Sequence, residues 1–166
     1  MQRQRTLLSL LAASGLAWWL LRTAPGQGVV TAVKSAILPR GLRNNNPGNL
    51  RVIARSPWLG QVGGDAQGYG VYESMERGAR AAAKQLLKYE RSGLNTVRKI
   101  IATWAPASEN DTASYVAQVA KALKVPADQP ISVNTHLEAL AWAIFKHENG
   151  FISFSRADSD RWVRLP

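Results

Sequence analysis

Glu148 has an address that suits acid–base chemistry. It stands in His147-Glu148-Asn149-Gly150, at the end of an apolar helical pattern. The C-terminus of a helix carries partial negative charge and disfavours a second negative charge beside it. Partial burial against Trp142 and Phe145 would act in the same direction. A carboxylic acid that keeps its proton near neutral pH can donate it to a glycosidic oxygen. The alternative is a solvated side chain at a fraying helix end. Glu109 is the second candidate acid, in the loop Trp104-Ala105-Pro106-Ala107-Ser108-Glu109-Asn110, where it could equally help cap the helix that follows. Asp65 is either a further carboxylate across a cleft or a turn residue, and Glu73, Glu76 and Glu90 read as helix-surface charges. Asn44, Asn45, Asn46 and Asn49 have the donors and acceptors to bind sugar hydroxyls and acetamides, or to satisfy the backbone of a turn.

Other chemistries find little support. There is no cysteine, so thiol catalysis, disulfides and thiolate metal sites are excluded. The two histidines, His136 and His147, lie in no strained Gly-x-Ser-x-Gly turn. Their spacing with Glu138 is not the i, i+4 repeat that sets two metal ligands on one helix turn. No metal, no cofactor and no phosphate-cradling glycine loop is expected.

The elements that must position these residues follow from punctuation and periodicity. Arg40–Arg51 is dense in turn formers. Leu50–Ile53 and Gly70–Tyr72 have strand character, with five glycines from Gly60 to Gly70 after the first, which predicts a small β-hairpin or an irregular β lobe. Helical spacing then begins. Met75, Ala79, Ala82, Leu86 and Tyr89 form an apolar face opposite the cations Arg77, Arg80, Lys84, Lys88 and Arg91, and Gly93 ends the helix. Those cations form a solvated face or one that suits an anionic polymer. Thr96 caps a helix through Trp104 that stops before Pro106. Asp111 or Thr112 caps another, with Tyr115, Val116, Val119 and Leu123 inward and Pro126 beyond its end. Thr135-His136-Leu137-Glu138 has the form of a capping box opening the last helix, which Gly150 closes. Phe151–Pro166 carries no assignable pattern. The fold class is mainly α (α+β): about four helices with a hairpin lobe, and a groove between them.

The chain has 166 residues, 46% of them apolar and 19% charged, which excludes an intrinsically disordered protein. Its 21 basic against 11 acidic residues leave a net charge of +10 and point to an anionic partner. Arg3 and Arg5 precede 16 uncharged residues, Thr6–Leu21, closed by Arg22, with Trp18 and Trp19 near the end. Residues 1–28 therefore read as an N-terminal signal-anchor or transmembrane helix with its linker, and the positive-inside rule puts the remainder outside the cytoplasm. Cleavage as a signal peptide and an amphipathic core helix are the alternatives. Residues 29–39 are a connector, and 40–166 form one domain, large enough to bury a core unaided.

Together, several spaced motifs resemble a family of phage and prophage muralytic domains typified by the lytic structural protein of enveloped double-stranded RNA phages. They are Gly41-Leu42-Arg43-Asn44-Asn45-Asn46-Pro47-Gly48-Asn49-Leu50-Arg51, Trp58 with Gly60, Tyr72 with Gly78-Ala79-Arg80-Ala81, Asn95-Thr96-Val97, Trp104-Ala105-Pro106, Glu109-Asn110-Asp111-Thr112, and His147-Glu148-Asn149-Gly150. The resemblance spans Arg40 to Gly150. It implies a lysozyme or lytic-transglycosylase-like fold that cleaves the peptidoglycan glycan backbone. In that superfamily the acid helix precedes the hairpin, whereas here no carboxylate occurs before Asp65. The resemblance therefore implies a circular permutation, hairpin first and acid helix last, with Glu148 facing the Asn44–Asn49 turn. Glu148 would be the general acid and base. Asn44, Asn45, Asn46, Asn49, Trp58, Tyr72 and Trp104 would bind the sugars, as would His147 and Asn149 beside the acid. Relatives described as wall endopeptidases keep peptide cleavage as an alternative, and a non-catalytic virion or membrane protein of the same fold is another. The expected partners are peptidoglycan and the inner membrane, with no nucleic acid. The expected location is the inner membrane with the domain in the periplasm, or the phage virion.

Overall fold

A computed structural model describes residues 38–108 and 111–166, and from Pro39 onward these fall in one contact unit, Pro39–Pro166. The expected anchor over 1–28, the connector up to residue 37, and Glu109 and Asn110 lie outside the described residues. Among the described residues, no helix is long and apolar enough to cross a membrane.

Among the described residues the first element is one helical turn, α1 (Arg40–Arg43), started by Pro39, whose carbonyl accepts from the N–H groups of Leu42 and Arg43. The asparagine segment follows as a turn in which Asn45 and Asn49 adopt left-handed backbone, at φ 51° and 48°. Asparagine tolerates this region better than other non-glycine residues. Asn46 is fully buried and acts as an internal splint. Its Oδ1 accepts from the Leu50 N–H, and its Nδ2 donates to the carbonyls of Leu50 and Gly70, all at 2.9 Å.

The sheet has two antiparallel strands, β1 (Gln61–Gly64) and β2 (Gly70–Tyr72). Gln61 pairs with Tyr72 and Gly64 with Gly70, with an irregularity between Gln61 and Gly63. The expected strand at Leu50–Ile53 does not form. That segment makes only an isolated bridge, Arg51 to Tyr69, beside hydrogen bonds from Val52 N–H to Gly68 and from Gly70 N–H to Leu50. The principal partner of β2 is instead Gln-Val-Gly-Gly, whose glycines gave no strand signal.

The helices are α2 (Met75–Arg91), α3 (Val97–Trp104), α4 (Thr112–Leu123), α5 (Val133–Asn149) and α6 (Arg156–Val163). Thr96 caps α3 by accepting from the Lys99 N–H, and Asp111 caps α4 by accepting from Ser114. The capping box expected at Thr135–Glu138 is not used. α5 starts three residues earlier, capped by Ser132 in place of Thr135, whose N–H the Ser132 side chain accepts from. Glu90, near the end of α2, accepts from the N–H groups of Val133 and Asn134, while Glu138 is drawn away to the guanidinium of Arg164. The unassigned tail forms α6, capped by Ser155 accepting from Asp158.

α5 packs against α2, α4 and α6, contributing Leu137, Leu140, Ile144 and Phe145 to the core. Each such side chain, fully buried, is worth about 1.5–3 kcal/mol of transfer free energy. α6 covers a further side of α2, which is why Ala81 and Ala83 are buried besides the expected Ala79, Ala82 and Leu86. Two close approaches tie the asparagine turn to this bundle. A methyl group at Gly78 of α2 would overlap the Asn45 carbonyl, and one at Gly41 would overlap Asn149 Oδ1 of α5.

Candidate active site

Glu148 is the penultimate residue of α5, and its carboxylate meets the asparagine turn. Oε2 accepts from Asn49 Nδ2 at 2.9 Å, and Oε1 accepts from the Tyr115 hydroxyl of α4 at 3.0 Å. Both donors are neutral. Asn149, next in the chain, fixes the register of this encounter by donating from Nδ2 to the carbonyls of Pro47 and Phe145, both at 2.8 Å. The Pro-Gly bend is thus bonded to the last turn of the acid-bearing helix, and Asn49 follows directly in left-handed backbone.

A cleft of about 350 Å³ opens beside this pair. Its apolar faces come from Trp58 and Tyr69 of the lobe and from Tyr89 and Trp104 of α2 and α3. Tyr89 and Trp104 meet edge to face, with ring centroids 6.3 Å apart. Gln85, Thr103, Asn49, Arg51 and Glu148 supply its polar edge. Among the described lining residues Glu148 is the only carboxylate and Arg51 the only cation. Planar aromatic faces with a few convergent polar groups suit a saccharide, whose rings present both C–H faces and hydroxyls.

Tyr115 keeps its proton. Burial pushes its pKa far up, and the charge of Glu148 and the hydrogen bond to it add to the rise. It is therefore a fixed donor to the carboxylate, and its hydroxyl oxygen remains able to accept when Glu148 carries a proton. The His147 ring stacks on Tyr115 at 3.5 Å between centroids and 13° between planes, with Nδ1 3.0 Å from Gln118 Oε1. Desolvation lowers the His147 pKa against the opposing fields of Glu148 and Asp111.

Of the residues selected from sequence, the cleft brings together Glu148, Asn49, Trp58 and Trp104. The others hold the frame. Asn44 donates to Asp65 at 2.8 Å, Asn45 donates to the Tyr72 carbonyl at 3.0 Å, and Asn46 is the splint described above. Tyr72, expected to present an apolar face to a sugar, is only 2% exposed, because Gly70 and Tyr72 alternate onto the inner face of β2. Asn149 is likewise buried, and His147 faces the Tyr115 ring rather than the cleft. Asp65 is a turn residue: Oδ1 accepts from the N–H groups of Gln67 and Tyr69. Desolvation opposes its charge, but the bonds from Tyr69, Asn44 and Gln67 and the Arg40 guanidinium hold its pKa below the ordinary range. Among the described residues, no group of three or more His, Asp or Glu side chains could hold a metal.

Sequence reasoning placed Tyr115 in the core, where its ring indeed is, and overlooked its hydroxyl. The available signal was the rule that a buried tyrosine hydroxyl finds a partner. Tyr69, Tyr89, Arg51, Gln85 and Thr103 were missed because four separate segments bring them together.

Over 137 residues the chain is 35% identical to Protein P5 of Pseudoalteromonas phage PM2, an alignment covering 78% of this chain and 84% of that one. The chain belongs to the Protein P5 family. The expected phage association is thereby supported at the level of the family. No protein-family model matches the chain. The Protein P5 match covers enough of the chain to include much of the domain built around Glu148.

Proposed function

We propose that this member of the Protein P5 family degrades bacterial peptidoglycan by cleaving its glycan backbone, with Glu148 as general acid and then general base. The observation that carries the proposal is the position of Glu148: a carboxylate bonded to Asn49 and Tyr115 at the edge of an aromatic-lined cleft. In the first step Glu148 protonates the leaving glycosidic oxygen. In the second it takes a proton from the attacking hydroxyl, either water or the 6-hydroxyl of the muramoyl sugar. With one carboxylate among the described lining residues, the acetamide of the substrate is the natural group to meet the developing cation. Trp58 and Trp104 stack on sugar rings, and Asn49 orients the acid.

The order of elements, with the hairpin before the acid helix, supports a circularly permuted lysozyme-like domain. Anchorage in the inner membrane, or residence in the virion, would bring such an enzyme to the wall. The test is digestion of purified sacculi by the wild type and E148Q, with mass spectrometry of the products. Anhydro-muramoyl ends identify a transglycosylase, reducing ends a hydrolase, and free peptides an endopeptidase. Cleavage of glycan by the wild type and its loss in E148Q, with little change in melting temperature, is expected. Full activity in E148Q would refute the assignment.

A further inference from the structure

Glu148 is held on one side by the Tyr115 hydroxyl, and the ring that carries this hydroxyl is covered by His147. A tyrosine ring turns broadly about its last torsion, so the plane it adopts is set by what lies against its faces. The phenolic hydrogen stays in that plane, because the oxygen is conjugated with the ring. Whatever fixes the plane therefore fixes where the O–H points. The His147 imidazole lies parallel to the Tyr115 ring, with 13° between planes and 3.5 Å between centroids.

His147 is itself tethered. Gln118, about one helical turn beyond Tyr115 on α4, donates from Nε2 to Ser114 Oγ at 3.2 Å, which leaves Oε1 as its acceptor. His147 Nδ1 lies 3.0 Å from that oxygen, so Nδ1 carries the proton of the neutral ring. Stack and tether both return to α4 and close a loop with the last turn of α5. The loop has a chemical consequence. Asn49 donates to Glu148 Oε2, and an amide N–H cannot accept in return. A Tyr115 hydrogen aimed at Oε1 keeps that oxygen an acceptor, so the proton of the acid falls to Oε2, beside Asn49, which lines the cleft. With the ring plane turned, the hydrogen leaves Oε1, and the proton of Glu148 can settle there against the Tyr115 oxygen.

We infer that His147 is a positioning residue for the acid: stacked on Tyr115, it aims the hydroxyl at Glu148 Oε1 and keeps the transferable proton on Oε2. The inference rests on the glycan-cleaving reading of Glu148, and His147 acts through Tyr115 rather than on the substrate.

The test is a mutant cycle in the full-length chain, assayed on solubilised glycan strands. H147A removes the ring, H147F keeps a flat ring without nitrogen, and Y115F removes only the hydroxyl. H147A should lower kcat about fivefold with KM changed less than about twofold, approaching the loss of the hydroxyl itself. H147F should restore kcat to within about twofold of the wild type, because an aromatic face against Tyr115 is what sets the plane. In the Y115F background H147A should change kcat less than about twofold, since no hydroxyl is left to aim. An unchanged kcat in H147A, the same loss in both backgrounds, or H147F as impaired as H147A would each overturn the inference. Urea midpoints of the same proteins need no turnover. H147A should lower the midpoint more in the wild-type background than in Y115F, because only the former has the hydroxyl bond to lose, and equal shifts would refute the coupling. If the wild type cleaves no glycan, the glycan-cleaving reading falls, and the midpoints still decide whether His147 aims the hydroxyl.

Discussion

Replacing Tyr115 by Phe is a clean perturbation of the site, because it removes one oxygen and leaves the ring. The ring is 1% exposed and stacked on His147, so packing and stacking persist in Y115F. What goes is the hydroxyl that donates to Glu148 Oε1 at 3.0 Å. A hydrogen bond to a charged acceptor is worth about 1.5–3 kcal/mol when buried. Glu148 is only half-buried, and water can partly replace the lost donor, which places the effect near the lower end. In kinetics that is about a tenfold fall in kcat with KM little changed, against the 10²–10⁴-fold expected of E148Q. In stability it is about 1 kcal/mol, read by urea unfolding. A mutant cycle sharpens the argument. In an E148A background the Tyr115 hydroxyl is buried without its acceptor, so Y115F should there be neutral or stabilising. The same cost of Y115F in both backgrounds, or an unchanged kcat in the single variant, would refute the coupling.

Two further perturbations test the frame. G78A places a methyl against the Asn45 carbonyl, a backbone atom that cannot move aside without displacing the asparagine turn. It should cost more than about 3 kcal/mol, as overpacking against backbone does, and thermal unfolding measures it; a melting temperature within a degree of wild type would contradict the close packing. D65N tests the turn electrostatics: because the folded pKa of Asp65 is depressed, its stabilisation is present above the ordinary carboxylate range and lost as pH falls through the folded value. Urea titrations should therefore show D65N less stable than wild type at pH 7, with the gap closing below about pH 4. A gap independent of pH would mean that the charge of Asp65 plays no part.

Local chemistry was legible in the sequence and distant chemistry was not. Thr96 and Asp111 cap their helices where the pattern places them, because a cap is a contact across three residues. Gly150 ends α5 at φ 68°, a conformation that glycine signals by itself. The start of α5 was misread for the same reason: Thr135 and Glu138 satisfy a local rule, but Arg164 outcompetes the helix terminus for Glu138 from 26 residues away. α6 escaped notice because it packs on a side of α2 that includes Ala81 and Ala83, which amphipathic spacing left unassigned. Tyr72 was placed in the site through the resemblance, and its position among glycines gave no sign of which face of the sheet its ring takes. The cleft itself was the least legible part: Glu148 and Asn49 are 99 residues apart, and no short pattern encodes that distance.

The four asparagines show how the frame and the site divide one motif. An amide side chain offers two donors and an acceptor, so a buried run can replace a strand's worth of backbone bonds in a segment too short to form a strand. Asn46 does this threefold, Asn45 holds β2 through the Tyr72 carbonyl, and Asn44 fixes the Asp65 turn. With those three committed, Asn49 is held in left-handed backbone with its Nδ2 toward Glu148, and Asn149 bonds the preceding bend to α5. The acid and its orienting amide are therefore set by the same bonds that hold the lobe on the bundle. Changes at Asn44–Asn46 should impair activity together with stability, whereas those at Asn49 should separate the two. That separation marks the boundary between scaffold and chemistry in this fold.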